Sequence, residues 1–269
     1  MKKIQFLFAT FIFMAFTLNA QDFNRDLQGI NKVKIYMSGS SDIKVISTDG
    51  NSLKIQSDDF EKPRKREGLR AIYSNGYDNS SVGLSIEEEN GDLIVKKLKP
   101  MNADDYVLFI PKDMAFSLNN QLSGDIEIKG FTSEIEIKTL SGDIEISDVT
   151  GPILANTTSG DIKVYFEKVA QENPMSFMSV SGDIELVFPD DTKANMVMQT
   201  LSGTSYTNID NLELLNKEKV EAKGKSKEDN YFGNFNFGFN ENIKAKINGG
   251  GVKILVKTIS GDIILRENE

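Results

Sequence analysis

The apolar residues in the middle of the chain follow a regular spacing. Apolar pairs recur every nine residues from Ile126, and the two members of each pair stand two positions apart. Alternation of this kind predicts short β-strands with one buried face. The glycines of a repeated Ser-Gly-Asp phrase, Gly124, Gly142 and Gly160, lie 18 residues apart. The pattern therefore predicts an all-β solenoid, with two strands in each coil and parallel pairing between coils.

Later copies of the phrase show where the coils become longer. The glycine spacing rises to 22 at Gly182, then 21 at Gly203 and 58 at Gly261. The strand before each Ser-Gly keeps its apolar register, so the extra residues must enter at the opposite turn. We therefore expect coils of about 18–22 residues, a tight edge made of the Ser-Gly-Asp turns, and an irregular edge that holds the insertions. The longest insertion, about residues 208–250, precedes the last coil.

The Ser-Gly-Asp turns place the same polar residues at equivalent positions of successive coils. We expect the glycine to adopt a positive φ and the Asp or Ser side chain to bind turn amides. Asp125, Asp143 and Asp161 would stack one coil apart, which leaves a calcium ladder as the alternative. The opposite turns carry no matching Gly-Asp phrase, and Thr204 replaces Asp in the fifth copy. The structural interpretation is therefore preferred, with no metal site and no cofactor.

The first residues of the chain are typical of a secretory signal peptide. Lys2 and Lys3 precede an uncharged apolar stretch from Ile4 to Leu18, and Leu18-Asn19-Ala20 precedes polar sequence. We expect residues 1–20 to be removed and no membrane-spanning segment to remain, and the alternative is that the apolar stretch stays as an uncleaved anchor. This predicts an exported bacterial protein of the periplasm or cell surface. Residues 21–110 would begin the solenoid irregularly, and residues 111–269 would form its regular part.

Composition narrows the possible functions. The formal charge of −9 becomes −11 when the two lysines of the signal peptide are removed, and an acidic surface disfavours both nucleic acid and anionic lipid headgroups as partners. The chain has no cysteine, so burial of apolar side chains must hold the fold together without disulfides. It also has no histidine, which removes the commonest general base and zinc ligand. Catalysis is therefore disfavoured.

Two segments are candidates for recognition. The long insertion contains an aromatic cluster that we predict to bind a ligand; its members are Tyr231, Phe232, Phe235, Phe237 and Phe239. Exposed rings would stack on sugars or anchor a protein partner, whereas the alternative is a flap packed against the solenoid. The second segment, residues 61–70, groups five basic side chains. It is interpreted as a solvated loop, with an anion-binding patch as the alternative.

Several stretches resemble a known family. These are "YVLFIPKDMAFSLNNQLSGDIEIKG", the repeated "TLSGDIEI" and the closing "NGGGVKILVKTISGDIIL". They are similar to the putative-adhesin domains of bacterial envelopes, which consist of β-strand repeats of unknown function. The resemblance spans nearly the whole chain after the signal peptide. It implies a right-handed, single-stranded β-helix outside the cytoplasm and implies no catalytic residues.

The sequence thus favours an exported, non-catalytic envelope or cell-surface protein, an adhesin or interaction scaffold for polysaccharide or envelope proteins. One alternative is a structural or stress-related envelope component without a specific ligand. The other is a polysaccharide-active β-helix enzyme, in which Glu127, Glu145 and Glu185 could supply a pair of carboxylates. The sequence predicts no oligomeric state.

Overall fold

A computed structural model describes residues 21–57, 60–64, 66–99, 102–215 and 242–268. Within these ranges the regular structure consists of strands, and no helix occurs. The strands in chain order are β1 (Gln21–Asp26), β2 (Val33–Met37), β3 (Ile43–Thr48), β4 (Ser52–Ser57), β5 (Leu84–Glu89), β6 (Asp92–Lys97), β7 (Tyr106–Pro111), β8 (Phe116–Asn120), β9 (Ile126–Lys129), β10 (Ile135–Ser141), β11 (Ile144–Val149), β12 (Ile153–Ser159), β13 (Ile162–Phe166), β14 (Met175–Ser181), β15 (Ile184–Phe188), β16 (Ala194–Ser202), β17 (Ser205–Thr207), β18 (Leu212–Leu215), β19 (Ile243–Ile247), β20 (Val252–Ser260) and β21 (Ile263–Glu267).

The strands form two large mixed sheets. The first sheet has ten strands in the order β1-β4-β7-β3-β9-β11-β13-β15-β21-β17. The second has eleven strands in the order β18-β19-β16-β20-β14-β12-β10-β8-β2-β6-β5. The predicted all-β class is therefore confirmed.

Consecutive strands of the repeat region alternate between the two sheets and stack in parallel register. Ile135 pairs with Ile153 in the second sheet, and Ile144 pairs with Ile162 in the first. Both pairings join residues 18 positions apart, as the glycine spacing predicts. Because equivalent residues lie side by side, the inward side chains form continuous apolar columns, and these four isoleucines are almost completely buried. The core lies between the sheets along the full length of the stack.

The stacking order of the coils differs from their order along the chain. The last coil, β20 and β21, lies between the coil of β14 and β15 and the coil of β16 and β17. At the other end, β2 and β3 lie between the coil of β6 and β7 and the coil of β8 and β9. Beyond β16 the second sheet continues outward with β19 and then β18, and β19 runs antiparallel to both β16 and β18. The chain then returns as β20 on the inner side of β16.

The insertions lie at the irregular edge, as expected. The connections between β13 and β14 and between β15 and β16 hold the extra residues of the fourth and fifth copies. The long insertion contributes β18 and β19, while residues 216–241 lie outside the described residues. Antiparallel strands cover both sheets at one end of the stack, namely β1, β4 and β5, and at the other end β18 and β19 cover the second sheet, whereas the first sheet ends at the parallel strand β17. They limit further pairing of the parallel strands.

Candidate functional site

The tight edge carries a continuous ladder of aspartate side chains. The carboxylate Oδ1 of Asp143 accepts a hydrogen bond from the backbone N–H of Asp161 at 2.8 Å, and Asp125 accepts one from Asp143 at 2.9 Å. The same contact continues in both directions, at 2.7–2.9 Å, through a series of carboxylates in stacking order: Asp105, Asp42, Asp125, Asp143, Asp161, Asp183 and Asp262. The predicted role of the Asp side chains, binding turn amides, is confirmed.

The ladder explains why the fifth copy departs from the repeat. Thr204 donates its backbone N–H to Asp262 Oδ1 at 2.7 Å and has no carboxylate of its own. Its coil ends in β17, which is the outermost strand of the first sheet. No further coil of that sheet stacks on it among the described residues, so an acceptor at this position has no amide to bind. A threonine therefore completes the ladder without leaving a carboxylate unused.

Glycine lets neighbouring coils approach closely beside the ladder. Gly142 has φ of 113°, and a Cβ added there would lie 2.3 Å from the carbonyl oxygen of Gly124. The same close approach follows at Gly160 and Gly182, each against the glycine carbonyl of its neighbouring coil. The predicted positive φ is confirmed at these three positions. The space and the conformation both require glycine.

Small polar side chains line the inner side of the same turns. Thr139 Oγ1 donates to the carbonyl oxygen of Ser141 at 3.0 Å, and Ser179 Oγ donates to that of Gly160 at 3.1 Å. Thr258 and Thr200 make equivalent bonds to the carbonyls of Gly182 and Gly261. These contacts provide hydrogen-bond donors to the carbonyl oxygens of the turns. The polar side chains of these turns therefore have structural roles, because aspartates bind backbone amides on the outer side and hydroxyl groups bind backbone carbonyls on the inner side.

The geometry does not favour a metal at the tight edge. One oxygen of each ladder carboxylate accepts a hydrogen bond from a backbone amide, and adjacent carboxylates do not converge on a common position where a metal ion could bind. Within the described ranges, no group of three or more acidic side chains could hold a metal ion. Calcium requires six to eight oxygen ligands, which a single column of monodentate carboxylates does not supply. The described residues offer no site for the calcium alternative.

The carboxylates considered for sugar hydrolysis lie on the outer face of the first sheet. Glu127 and Glu145 pair side by side in register. Glu127 forms an ion pair with Lys44 at 2.6 Å, and Glu185 forms one with Lys163 at 3.3 Å. Glu127 and Glu185 are therefore bound to cations on the sheet face. A groove of about 420 Å³ lies elsewhere, at the irregular edge between residues 26–28, Asn51 and residues 111–114.

A buried lysine stands near the start of the stack. The Lys97 ammonium donates to Ser41 Oγ and to the carbonyl oxygen of Asn102 at 2.8 Å, and its Nζ lies 3.9 Å from Asp104 Oδ2. Burial lowers the pKa of Lys97, and the negative charge of Asp104 opposes that shift. A serine beside a lysine can act as a nucleophile and base. Here both side chains are inaccessible to solvent, so their role is to fix the turns of the first coils.

The predicted ligand-binding residues lie outside the described part of the chain. Tyr231, Phe232, Phe235, Phe237 and Phe239 all fall within residues 216–241. Sequence reasoning missed the ladder members that precede the regular repeats, Asp42 and Asp105. The phrase Ser-Ser-Asp-Ile at residues 40–43 carried a detectable signal, because it matches Ser-Gly-Asp-Ile except for the glycine.

Comparison with known proteins gives one family and several structural neighbours. The family model "Toastrack DUF4097" matches residues 79–266. It agrees with the resemblance found in the sequence, to adhesin-like repeat domains of unknown function, which is confirmed. None of the curated proteins matches the chain. No helix in the described part of the chain is long and apolar enough to cross a membrane.

Three solved structures illustrate the neighbours. A putative cell adhesion protein from Clostridium sporogenes is 10% identical with a TM-score of 0.49, covering 93% of this chain and 100% of its own. A putative adhesin from Bacteroides fragilis is 12% identical with a TM-score of 0.44, covering 93% and 97%. A putative lipid binding protein from Parabacteroides distasonis is 14% identical with a TM-score of 0.35 and the same coverage. Because these TM-scores are below 0.5, the assignment of the chain to a family depends on the family model and not on these structures.

Proposed function

The chain belongs to the Toastrack DUF4097 family, and from this premise we propose that it is an exported, non-catalytic protein of the bacterial cell envelope or surface. In this proposal residues 1–20 direct export and are removed after Ala20. The remainder winds as a right-handed, single-stranded β-helix and acts as an adhesin or interaction scaffold. Its partners are polysaccharides or other envelope proteins.

The observation that carries this proposal is the aspartate ladder. The aspartate of the repeated Ser-Gly-Asp phrase is used to join one coil to the next, as in the bond from the Asp161 amide to Asp143. Repetition along the chain therefore supports a stiff rod instead of a row of reactive groups. A rod of this kind is suited to holding a binding segment in a fixed place. The ion-paired glutamates of the sheet face likewise favour a non-catalytic role over hydrolysis.

The proposed recognition segment is the aromatic cluster of the long insertion. Alternation places Phe235, Phe237 and Phe239 on one side of any strand that they form, with Tyr231 and Phe232 just before them. Aromatic faces stack on sugar rings and also anchor protein partners. The insertion enters and leaves through β18 and β19 at one end of the stack, where a bound partner would not interrupt the paired strands.

The test compares the processed protein with a variant in which Phe235, Phe237 and Phe239 are replaced by Ser. Both are incubated with envelope extract and with purified surface polysaccharide, and retained material is identified. We expect the variant to melt at the same temperature and to lose binding by about tenfold or more, because hot-spot aromatics dominate such contacts. Leu201→Ser, an exposed apolar change at the tight edge, is the matched control and should bind normally.

Other outcomes separate the alternatives. A variant that melts lower and binds normally would show that the rings pack against the solenoid. A wild-type protein that retains neither glycan nor envelope component would contradict the adhesin proposal and favour a structural component without a ligand.

A further inference from the structure

The connection between β4 and β5 is a long loop with a fixed base. It leaves the stack at the end covered by β1 and β5. Phe60 and Val82, near its two ends, are buried. The side chain of Asn79 exchanges two hydrogen bonds with the backbone of Ile86, its Nδ2 donating at 2.8 Å and its Oδ1 accepting at 2.9 Å. The loop is therefore anchored on β5 and projects from a defined position.

The tip of this loop, residues 61–72, exposes apolar side chains to solvent. All its described residues are exposed. Leu69 and Ile72 are 72% and 84% exposed, more than any other large apolar side chain that the structure describes. A turn closed by the bond from the Leu69 N–H to the Arg66 carbonyl at 3.0 Å gives the tip a definite shape. Two such side chains within four residues form a local apolar projection.

The same tip is basic on an otherwise acidic molecule. It contains Lys62, Arg64, Lys65, Arg66 and Arg70 against two glutamates, a net charge of 5 − 2 = +3 in a chain of charge −9. No ion pair joins Lys62, Arg64 or Arg66 to a carboxylate of the described residues. Within the tip, the Arg70 guanidinium stacks over the Tyr77 ring at 4.6 Å. A negatively charged surface would attract this basic tip and repel the acidic remainder of the protein.

We propose that this basic tip docks the protein on an anionic lipid surface. Lys62, Arg64 and Arg66 would bind headgroup phosphates. Leu69 and Ile72 would enter the boundary between headgroups and acyl chains. A lipid surface accommodates both features together, because it offers negative charge and an apolar layer within a few ångströms. An acidic polysaccharide would bind the cations and leave the two aliphatic side chains in water, so it fits the tip less well.

The proposal is independent of the ligand of the aromatic cluster, and the whole tip lies before residue 79, where the region matched by the family model begins. Its first test is flotation of the exported, processed protein with vesicles of phosphatidylcholine, alone or mixed equally with phosphatidylglycerol. We expect binding to the anionic vesicles only, weakened by salt. One variant replaces Lys62, Arg64 and Arg66 with Gln. A second carries Leu69→Ser and Ile72→Ser.

Each variant should bind anionic vesicles about tenfold or more weakly, since it removes either the headgroup attraction or the buried apolar area. The matched control replaces Leu201 and Leu214, which are 56% and 67% exposed at other positions, with Ser and should bind like the wild type. All variants should melt at the wild-type temperature, because every changed side chain is exposed. Variants that bind anionic vesicles as well as the wild type does would overturn the proposal.

Insertion can be observed directly because the chain contains no tryptophan. Ile72→Trp places a single indole at the tip, and its fluorescence should shift to shorter wavelength with anionic vesicles and stay unchanged with neutral ones. Leu201→Trp provides the matched control and should not shift. A wild-type protein that binds soluble dextran sulfate but not anionic vesicles would reject the lipid proposal and assign the tip to acidic polymers.

Discussion

Replacement of Gly142 by Ala tests the close contact between coils at the tight edge. Gly142 combines two restrictions: φ is 113°, which side chains rarely tolerate, and an added Cβ would lie 2.3 Å from the Gly124 carbonyl oxygen. That oxygen belongs to the backbone of the neighbouring coil, whose strand β9 pairs in parallel with β11 on one side and with β3 on the other. The clash can be relieved only by separating two coils or by changing the turn.

The expected cost combines two contributions. The unfavourable backbone conformation costs about 1–2 kcal/mol. Forcing an atom into a packed space costs about 1–3 kcal/mol more, because the neighbour is backbone and cannot rotate away. The free energy of unfolding should fall by about 2–5 kcal/mol. For a chain of this size, each kcal/mol corresponds to about 2–4 °C in melting temperature, so we expect a decrease of about 10 °C.

Three further glycines separate the two contributions. Gly29 has φ of 84° and nothing within 4 Å of an added Cβ, so Gly29→Ala should show the conformational cost alone. Gly151 lacks a positive φ but would place Cβ 1.9 Å from the Ser133 carbonyl oxygen, so Gly151→Ala should show the steric cost alone. Gly50 has neither restriction, and Gly50→Ala should leave stability unchanged within about 0.5 kcal/mol or raise it slightly.

Melting of the four variants by circular dichroism and calorimetry gives the comparison. The expected order of stability is Gly50→Ala first, Gly29→Ala and Gly151→Ala lower, and Gly142→Ala lowest. A Gly142→Ala protein that melts together with Gly50→Ala would refute the inferred contact. A deficit in Gly29→Ala equal to that of Gly142→Ala would assign the whole effect to backbone conformation.

Two other predictions concern the core register and the ladder. Ile144→Asp should lower the free energy of unfolding by several kcal/mol and prevent accumulation of folded protein, because Ile144 is buried. Glu145→Lys should alter the melting temperature little, since this exposed position lies between Glu127 and Lys163 in the sheet. Equal tolerance of both changes would contradict the register. Millimolar calcium or a chelator should leave the melting temperature unchanged, because the ladder carboxylates already accept hydrogen bonds from backbone amides. A rise of many degrees with calcium would instead show a calcium site that exists only in the native state.

Much of the fold was contained in local sequence. The spacing of two within each apolar pair determines which side chains face inward, because successive residues of a strand point to opposite sides. The interval of 18 residues determines the register, because like residues stack in neighbouring coils. Ile126, Ile144 and Ile162 could therefore be placed in one column from the sequence, and the structure pairs them in that order. The role of Gly142 also follows locally, since a tight turn repeated at a fixed period favours positive φ.

The order of the coils was decided only by the tertiary structure. Coils that share one apolar register and one Ser-Gly-Asp turn are interchangeable as stacking partners, so local sequence does not specify which pairs with which. The choice depends on long connections and on pairing between distant residues, such as Met175 with Ile254 and Met196 with Ile254. Thr204 looks anomalous in the sequence because it interrupts a series of aspartates: its copy of the phrase is the fifth, and the sixth copy has an aspartate again, Asp262. It is explained in space because that coil ends the stack of the first sheet, where the last carboxylate, Asp262, has already found its amide.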